Sequence, residues 1–441
     1  MNQFTKSVTI LFFASSLFWL GCATTKNQKK SIGQFQNEIR KLTARVKSDR
    51  NDMAAWRDLG AICYEANLLP RAKKFLTKAY NLDKTDPKTL YYIATILESE
   101  QKAEQALRFY KNYTQVSRLS PYRKKMEGQY LLLNRQMMRQ EMKSLLEQEM
   151  QLTLTEDSKK TVAIFPLKFE GDQSDYATLG KGISEMIITD LSQVPDLQVV
   201  ERIRLQALFE EMALGQAGIM DESTLPRVGK LLGAGKIING SYNLQGKKQL
   251  QMDVAFWDVY QGQEPAFARM GDNLDNLFKL EKDLVFGIIK SMGIDLTPAE
   301  REKIQRIPTK NMQAFMAYCN GLDMEDSGRF EAAAQYFQKA NKLDPNFQAA
   351  GEKATKTESL AAVARGNTNT KTATSRKQNQ NQKSPIRNQT LVSNRLQTLS
   401  TSIGSTFIQG QDSRESAEEV QNTGVSVFDD LPLPPEPPGR R

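Results

Sequence analysis

Few side chains in this sequence could do chemistry, and one type is missing altogether. The chain of 441 residues contains no histidine, which excludes histidine general bases, Ser/His/Asp and Cys/His nucleophile pairs, and histidine-ligated zinc. The three cysteines, Cys22, Cys63 and Cys319, are too few and too scattered for a disulfide framework or a Cys-x-x-Cys metal site. We therefore expect no enzyme activity, no metal and no cofactor.

A short glycine motif is the nearest approach to a nucleotide site. Gly180-Lys181-Gly182 opens a predicted helix, where backbone N–H groups can bind phosphate. A dinucleotide fingerprint would need glycine in place of Glu185, and a P-loop would need Ser or Thr after the lysine. We expect these glycines to serve close packing at the start of the helix.

The charged residues are typical of an ordinary protein surface. Lys and Arg total 60 against 51 acids, a formal net charge of +9, but both signs are interspersed, so nucleic acid is not an expected partner. Glu201, Glu210 and Glu211 have no spacing that would pair carboxylates in a cleft. We expect them on solvated faces.

The N-terminus carries an apolar segment that ends at Cys22. The run from Val8 to Leu20 is shorter than the ~20 residues of a membrane-spanning helix but is typical of a signal peptide. Gly21-Cys22 resembles the bacterial lipobox, which implies removal of residues 1–21 and lipidation of Cys22. By the same resemblance, Ala23 after the cysteine favours an outer-membrane lipoprotein that faces the periplasm. An ordinary secretory signal or an uncleaved anchor is the alternative.

Two segments carry residues at the period of a helical-hairpin repeat. Positions that include Trp56 and Gly60 recur 34 residues later, and a third copy around Gly321 keeps the same offsets. The W-x2-L-G start resembles tetratricopeptide repeats. We expect repeats with a capping helix over residues 32–152, and one repeat with a capping helix over residues 311–365. Cys63 and Cys319 are expected to be small buried side chains in these helices.

Between the repeats the pattern predicts an α/β domain over residues 160–305. The apolar run Val162-Ala163-Ile164-Phe165 predicts a strand covered on both faces, and the order βαβα(α)βββα favours a mixed sheet with helices on one face. The segments VAIFPL, LGKGISEMIITDLSQVP, LQVVER, LLGAGKIINGSYN and DVAFWDVYQGQ resemble the periplasmic domain of the curli secretion component CsgG and TolB N-terminal-like domains. The expected fold class is thus multidomain, an α-solenoid of tetratricopeptide repeats plus a mixed-sheet CsgG-like domain.

Residues 366–441 have the composition of a disordered tail, rich in Asn, Gln, Ser and Thr. Residues 366–410 contain six basic side chains and no acid, and residues 411–441 contain seven acids and three arginines. The segment from Leu431 to Pro438, LPLPPEPP, is typical of polyproline helix and could bind an aromatic groove. An unbound linker is the alternative.

The combined features favour binding over catalysis. We expect a non-catalytic outer-membrane lipoprotein that scaffolds a periplasmic cell-envelope or secretion assembly, with protein partners in the repeat grooves and a membrane partner through the lipid anchor. A homo-oligomer is left open. The alternatives are a CsgG-like secretion pore component, or a lipoprotein activator of a peptidoglycan synthase. The resemblance by itself does not choose among them.

Overall fold

The computed structural model describes residues 37–212, 224–246 and 248–378, together with Pro434. Within them the chain forms fourteen α-helices and six strands. It divides into two compact units, one holding the chain up to Met126 and from Gln380 onward, the other holding Glu127–Asn379. The predicted signal peptide and lipidation site at Cys22, and all of the predicted tail beyond 378 except Pro434, lie outside the described residues.

The first unit is built from consecutive helices that pack in pairs. Its elements are α1 (residues 37–48), α2 (Met53–Glu65), α3 (Leu69–Leu82), α4 (Pro87–Ser99), α5 (Ala103–Lys111) and the start of α6 (Pro121–Glu147). Helix α2 packs on α3, and α4 packs on α5. Leu42 and Val46 of α1 are buried against Leu59 of α2, so residues before the first pair cover its apolar side.

In each of the two helix pairs, the same type of turn connects the first helix to the second. Asn67 and Gln101, which are 34 residues apart, both adopt the left-handed conformation, with φ of 60° and 65°. After each, a backbone N–H reaches back five residues, from Leu68 to the Cys63 carbonyl at 2.8 Å and from Lys102 to the Leu97 carbonyl at 3.0 Å. The sequence period therefore corresponds to a period in backbone geometry.

A third hairpin in the second unit repeats this turn. Helix α12 (Met312–Asp326) leads through Gly328, with φ of 70°, into α13 (Phe330–Leu343). Arg329 N–H donates to the Met324 carbonyl at 2.9 Å. A Cβ on Gly321 would lie 2.6 Å from the Phe337 ring, so only glycine permits this approach of the two helices.

The second unit contains a mixed sheet. Its strands are β1 (Thr161–Ile164), β2 (Lys168–Phe169), β3 (Gln198–Val199), β4 (Lys236–Gln245), β5 (Gln249–Asp258) and β6 (Ala266–Asn273), in the order β3-β1-β4-β5-β6 with β2 also beside β4. The contacts of β4 with β1 and β2 are parallel, whereas β4, β5 and β6 form an antiparallel meander.

Helices cover both faces of the central strands, which corrects the prediction of helices on one face. The remaining helices of this unit are α7 (Leu179–Leu191), α8 (Arg202–Glu211), α9 (Leu225–Leu232), α10 (Leu277–Ser291), α11 (Pro298–Ile304) and α14 (Gln348–Gln378). Val162 and Ile164 share one core with α7 and α10, while Ala163 and Phe165 share the other with α8 and α9. Successive strand residues point to opposite faces of the sheet. The unbroken apolar run of β1 is therefore buried only if helices pack on both faces.

The third hairpin and most of α6 belong to this same unit. Phe315 and Phe337 of the hairpin lie in the core that also holds α7 and α10. Met142 of α6 is buried with α8 and α9, where the sequence analysis placed residues 121–152 as a cap on the repeats. The predicted boundary between residues 160–305 and 311–365 therefore crosses a continuous core.

The last helix is longer than predicted. Helix α14 is assigned from Gln348 to Gln378, whereas the sequence analysis began the disordered tail at residue 366. No proline occurs between Gln348 and Gln378, and a glycine such as Gly366 costs a helix only ~1 kcal/mol.

Candidate protein-binding surfaces

The first helices of successive pairs bring four tyrosines together in the first unit. The ring centroids of Tyr64 and Tyr92 lie 5.4 Å apart, and those of Tyr91 and Tyr122 lie 5.6 Å apart. The Lys125 amine lies 5.2 Å from the Tyr122 ring and 5.6 Å from the Tyr91 ring. We call these five residues the tyrosine face. They come from α2, α4 and the start of α6.

The tyrosine face is aromatic and lies in a basic unit. Residues 37–126 contain nineteen lysines and arginines against ten acids, which gives this part of the chain a net positive charge. Tyr92 donates a 2.6 Å hydrogen bond to Glu65, and burial followed by this bond raises the pKa of Tyr92. The phenol is therefore neutral at physiological pH and holds a fixed orientation. Aromatic surfaces of this kind bind extended proline-rich peptides.

The sequence analysis predicted repeat grooves but did not identify these tyrosines. The available signal was the adjacent pair Tyr91-Tyr92 on a predicted first helix. Tyr64 and Tyr122 could not be assigned to the same face from their spacing alone, because they lie on different helices.

In the third hairpin the equivalent face is covered by the α/β domain. Applying the repeat offset, Tyr91 and Tyr92 correspond to Tyr318 and Cys319. A Cβ on Gly182 of α7 would overlap the Cys319 sulfur and would lie 2.8 Å from the Phe315 ring. The first helix of the hairpin thus packs directly on another element of the protein.

Charged groups complete this internal contact. The Lys181 amine lies 2.7 Å from an oxygen of Asp323 and 2.9 Å from one of Asp326. Arg202 of α8 also contacts Asp326, at 2.5 Å, and Glu325, at 3.6 Å. Burial alone would raise the pKa of Glu325, but the nearby Lys353 and Arg202 outweigh it and lower the pKa to about 2.

This geometry assigns the Gly180-Lys181-Gly182 motif to packing. The Gly180 N–H donates to the Tyr242 hydroxyl at 3.1 Å, and a Cβ on Gly180 would overlap the Leu167 carbonyl. Lys181 is held by two carboxylates of α12. Both groups that could have met phosphate are therefore occupied by the protein itself.

A second set of ionisable groups is enclosed between α7 and α10. Lys282 forms ion pairs with Asp190 and with Glu281, the latter at 3.3 Å. Burial, and then the negative Asp190, raise the pKa of Glu281 to about 8. Burial also raises the pKa of Asp190, and Lys282 opposes that shift. Because Glu281 is fully buried, this cluster is a structural feature rather than an accessible site. Sequence reasoning missed it because its members lie 92 residues apart.

The three glutamates and the two cysteines considered in the sequence lie either at the surface, in ion pairs, or buried among apolar side chains. Glu210 and Glu211 both lie 3.3 Å from Arg139, and Glu201 is exposed just before α8. Cys63 and Cys319 are buried and free. Burial raises the pKa of both thiols, that of Cys63 to about 11. These thiols are therefore protonated and poor nucleophiles.

Two further surfaces in the second unit could contact proteins. A shallow groove of about 510 Å³ between α13 and α14 is lined by residues that include Phe330, Ala361 and Ala364. Strand β6 pairs with β5 on one side, and its other side meets no strand among the described residues. Phe267 on this edge is 72% exposed. Unpaired edge strands can add a strand from another chain.

Within residues 37–212, 224–246 and 248–378, no cluster of three or more Cys, Asp or Glu side chains could hold a metal ion. None of the helices in that part of the chain has both the length and the apolar character needed to cross a bilayer.

Comparison with known proteins identifies one similarity, in the second unit. The family described as "Curli production assembly/transport component CsgG" matches residues 143–244. This range runs from the end of α6 through β1, α7, β3, α8 and α9 to β4. It covers less than a quarter of the chain and stops before β5, whereas the sequence analysis extended the domain to residue 305. No curated protein matches the chain. Residues 143–244 are thus similar to CsgG.

Proposed function

We propose that this protein is a non-catalytic lipoprotein, anchored in the outer membrane through Cys22, that scaffolds a periplasmic cell-envelope or secretion assembly. The tyrosine face carries the proposal, because an aromatic surface in a basic helical stack suits peptide binding and offers no reacting group. The similarity of residues 143–244 to a curli assembly/transport component supports an envelope setting.

The two units have different roles in this proposal. The helix pairs of the first unit bind extended segments of partner proteins, with tyrosine rings for packing and lysines for acidic side chains. The second unit supplies a further docking or oligomerisation surface at β6, where Phe267 lies on an open edge.

The test is the set of proteins captured by the tagged full-length chain from detergent-solubilised envelopes. Lys125→Glu reverses a charge on the tyrosine face, and Lys74→Glu makes the same change at an exposed position of α3, a second helix. We expect Lys125→Glu to lose partners that the wild type and Lys74→Glu retain. Equal capture by all three proteins would contradict partner binding at this face.

The lipid anchor has its own test. Radiolabelled palmitate should be incorporated into the wild type and not into Cys22→Ser. Cys63→Ala removes a different cysteine, which is buried, and should leave the label in place. Label that persists in Cys22→Ser would contradict anchoring at that residue.

A secretion pore component remains the second candidate, since the matched family is named for assembly and transport. Conductance of the purified protein in planar bilayers would favour this function over scaffolding. A lipoprotein activator of a peptidoglycan synthase is the third, and it predicts faster glycan polymerisation in vitro when the protein is added.

A further inference from the structure

We infer that the tyrosine face binds a segment of this same chain, the proline-rich acidic segment of residues 428–438. The consequence of this contact rests on the proposed function, since a partner protein that binds the tyrosine face would have to displace this segment.

The first support is the one described residue near the C-terminus. Pro434 is buried, although it lies in a sequence made mostly of proline and acidic residues. It belongs to the same compact unit as the helix pairs, which holds the chain up to Met126 and from Gln380 onward. A buried proline in that unit requires a surface that covers it.

The second support is the chemistry of the two partners. Residues 428–438, FDDLPLPPEPP, contain five prolines and three acids and no basic residue. Proline-rich segments adopt an extended helix with little entropy left to lose, and they bind between aromatic rings. Tyr64, Tyr91, Tyr92 and Tyr122 provide such rings, and Lys125 lies beside them. The acids of the segment therefore meet a basic unit.

The third support is the equivalent face in the second unit. There Tyr318 and Cys319 occupy the positions of Tyr91 and Tyr92, and Cys319 packs on Gly182 of α7. Glu325, at the position of Tyr64, pairs with Arg202 of α8. The first-helix face of this hairpin type is thus used for contact within the chain at one place already.

The length of the connection permits the contact. Between Gln378 and Pro434 lie 55 residues, which can span at most roughly 180–200 Å when extended. Closing so long a loop adds only ~0.6 kcal/mol for each doubling of its length.

The experiment uses the purified full-length protein with a photo-crosslinking amino acid in place of Pro434. Crosslinked peptides are identified by mass spectrometry, and the products are sized on a denaturing gel. We expect crosslinks to residues 53–126 within a single chain. The matched control carries the same amino acid at Pro385, and it should give at least several-fold fewer crosslinks to that range.

Several outcomes would overturn the inference. Crosslinks confined to residues 127–378, or yields at position 434 no higher than at position 385, would show that the segment does not bind this unit. Crosslinks found only between two chains would assign the face to a second copy. Because no partner protein is present, these results are independent of the capture experiment that tests the proposed function.

The charge component is tested by combining the crosslinker at position 434 with Lys125→Glu or Lys74→Glu. We expect Lys125→Glu to lower the crosslinking yield several-fold at low salt, and Lys74→Glu to leave it nearly unchanged. The effect should shrink in 1 M salt, where charges are screened within ~3 Å. Equal yields from the two variants would contradict binding at the tyrosine face.

Discussion

The N-terminal helix pairs and the C-terminal hairpin share one backbone design and use it differently. Both have the same left-handed turn between their helices, at Asn67, Gln101 and Gly328. In the C-terminal hairpin the first helix is packed on α7 and α8 and its charges are paired inside the protein. In the N-terminal pairs Tyr92 and Tyr64 stand at the positions of Cys319 and Glu325, and residues 37–126 carry more basic than acidic side chains. We therefore propose that the first-helix face of the N-terminal pairs is also a contact surface, and that its side chains determine which partner binds.

The largest expected effect comes from breaking the internal contact of the C-terminal hairpin. Arg202→Ala would remove a cation that Glu325 and Asp326 share in a poorly hydrated place, with only Lys353 left beside Glu325 and Lys181 beside Asp326. Removing one member of such a buried pair costs about 3–5 kcal/mol of unfolding free energy, measurable by denaturant unfolding. The control Arg365→Ala removes an exposed pair with Glu331 and should cost less than about 1 kcal/mol. Similar losses in the two variants would argue against a buried ionic contact.

A smaller loss is expected from filling the gap between α7 and α12. Gly182→Val would force its side chain against Cys319 and Phe315, and overpacking of this kind costs about 1–3 kcal/mol. Gly287→Ala is the control, because a Cβ at Gly287 meets nothing within 4 Å. That helix position should gain about 0.5–1 kcal/mol. A neutral Gly182→Val would mean that α12 is not held closely on α7.

The two units should also differ in how their stability depends on pH, since the cluster around Glu281 lies in the second unit. Its pKa is raised from 4.5 to about 8, so its contribution to stability is complete below pH 4.5 and is lost as the pH rises to about 8. We expect the melting temperature of the second unit to fall by several degrees between pH 5 and 8.5. In Glu281→Gln that fall should be smaller, whereas Glu302→Gln, an exposed control, should behave as the wild type. A fall of equal size in Glu281→Gln would exclude this group as the cause.

The smallest effect on stability is expected at the tyrosine face. Lys125 is exposed, and Lys125→Glu should change the unfolding free energy by no more than about 0.5 kcal/mol. A larger loss, measured by denaturant unfolding of the same sample, would show that this lysine supports the fold rather than recognition.

The sequence predicted local structure better than it predicted contacts. The 34-residue period indicated the helix pairs α2 to α5, and the apolar run Val162-Ala163-Ile164-Phe165 indicated strand β1. Gly233 ends α9 in the left-handed conformation that glycine commonly adopts after a helix. These elements could be predicted from the sequence because each depends on residues that lie close together in the chain.

The missed features all join distant parts of the chain. The ion pair between Lys181 and Asp323 spans 142 residues, and nothing local marks either residue as a partner of the other. The second cover of β1 and the placement of α6 were missed for the same reason.

Hydrogen exchange of the full-length protein tests the central claim most directly, by comparing the wild type with the double substitution L431D/L433D in the proline-rich segment. We expect the backbone amides of α4 and the start of α6 to exchange faster in the variant. Exchange in α12 should be unchanged, because its equivalent face is covered by α7. Identical exchange of the two proteins throughout residues 53–126 would contradict it.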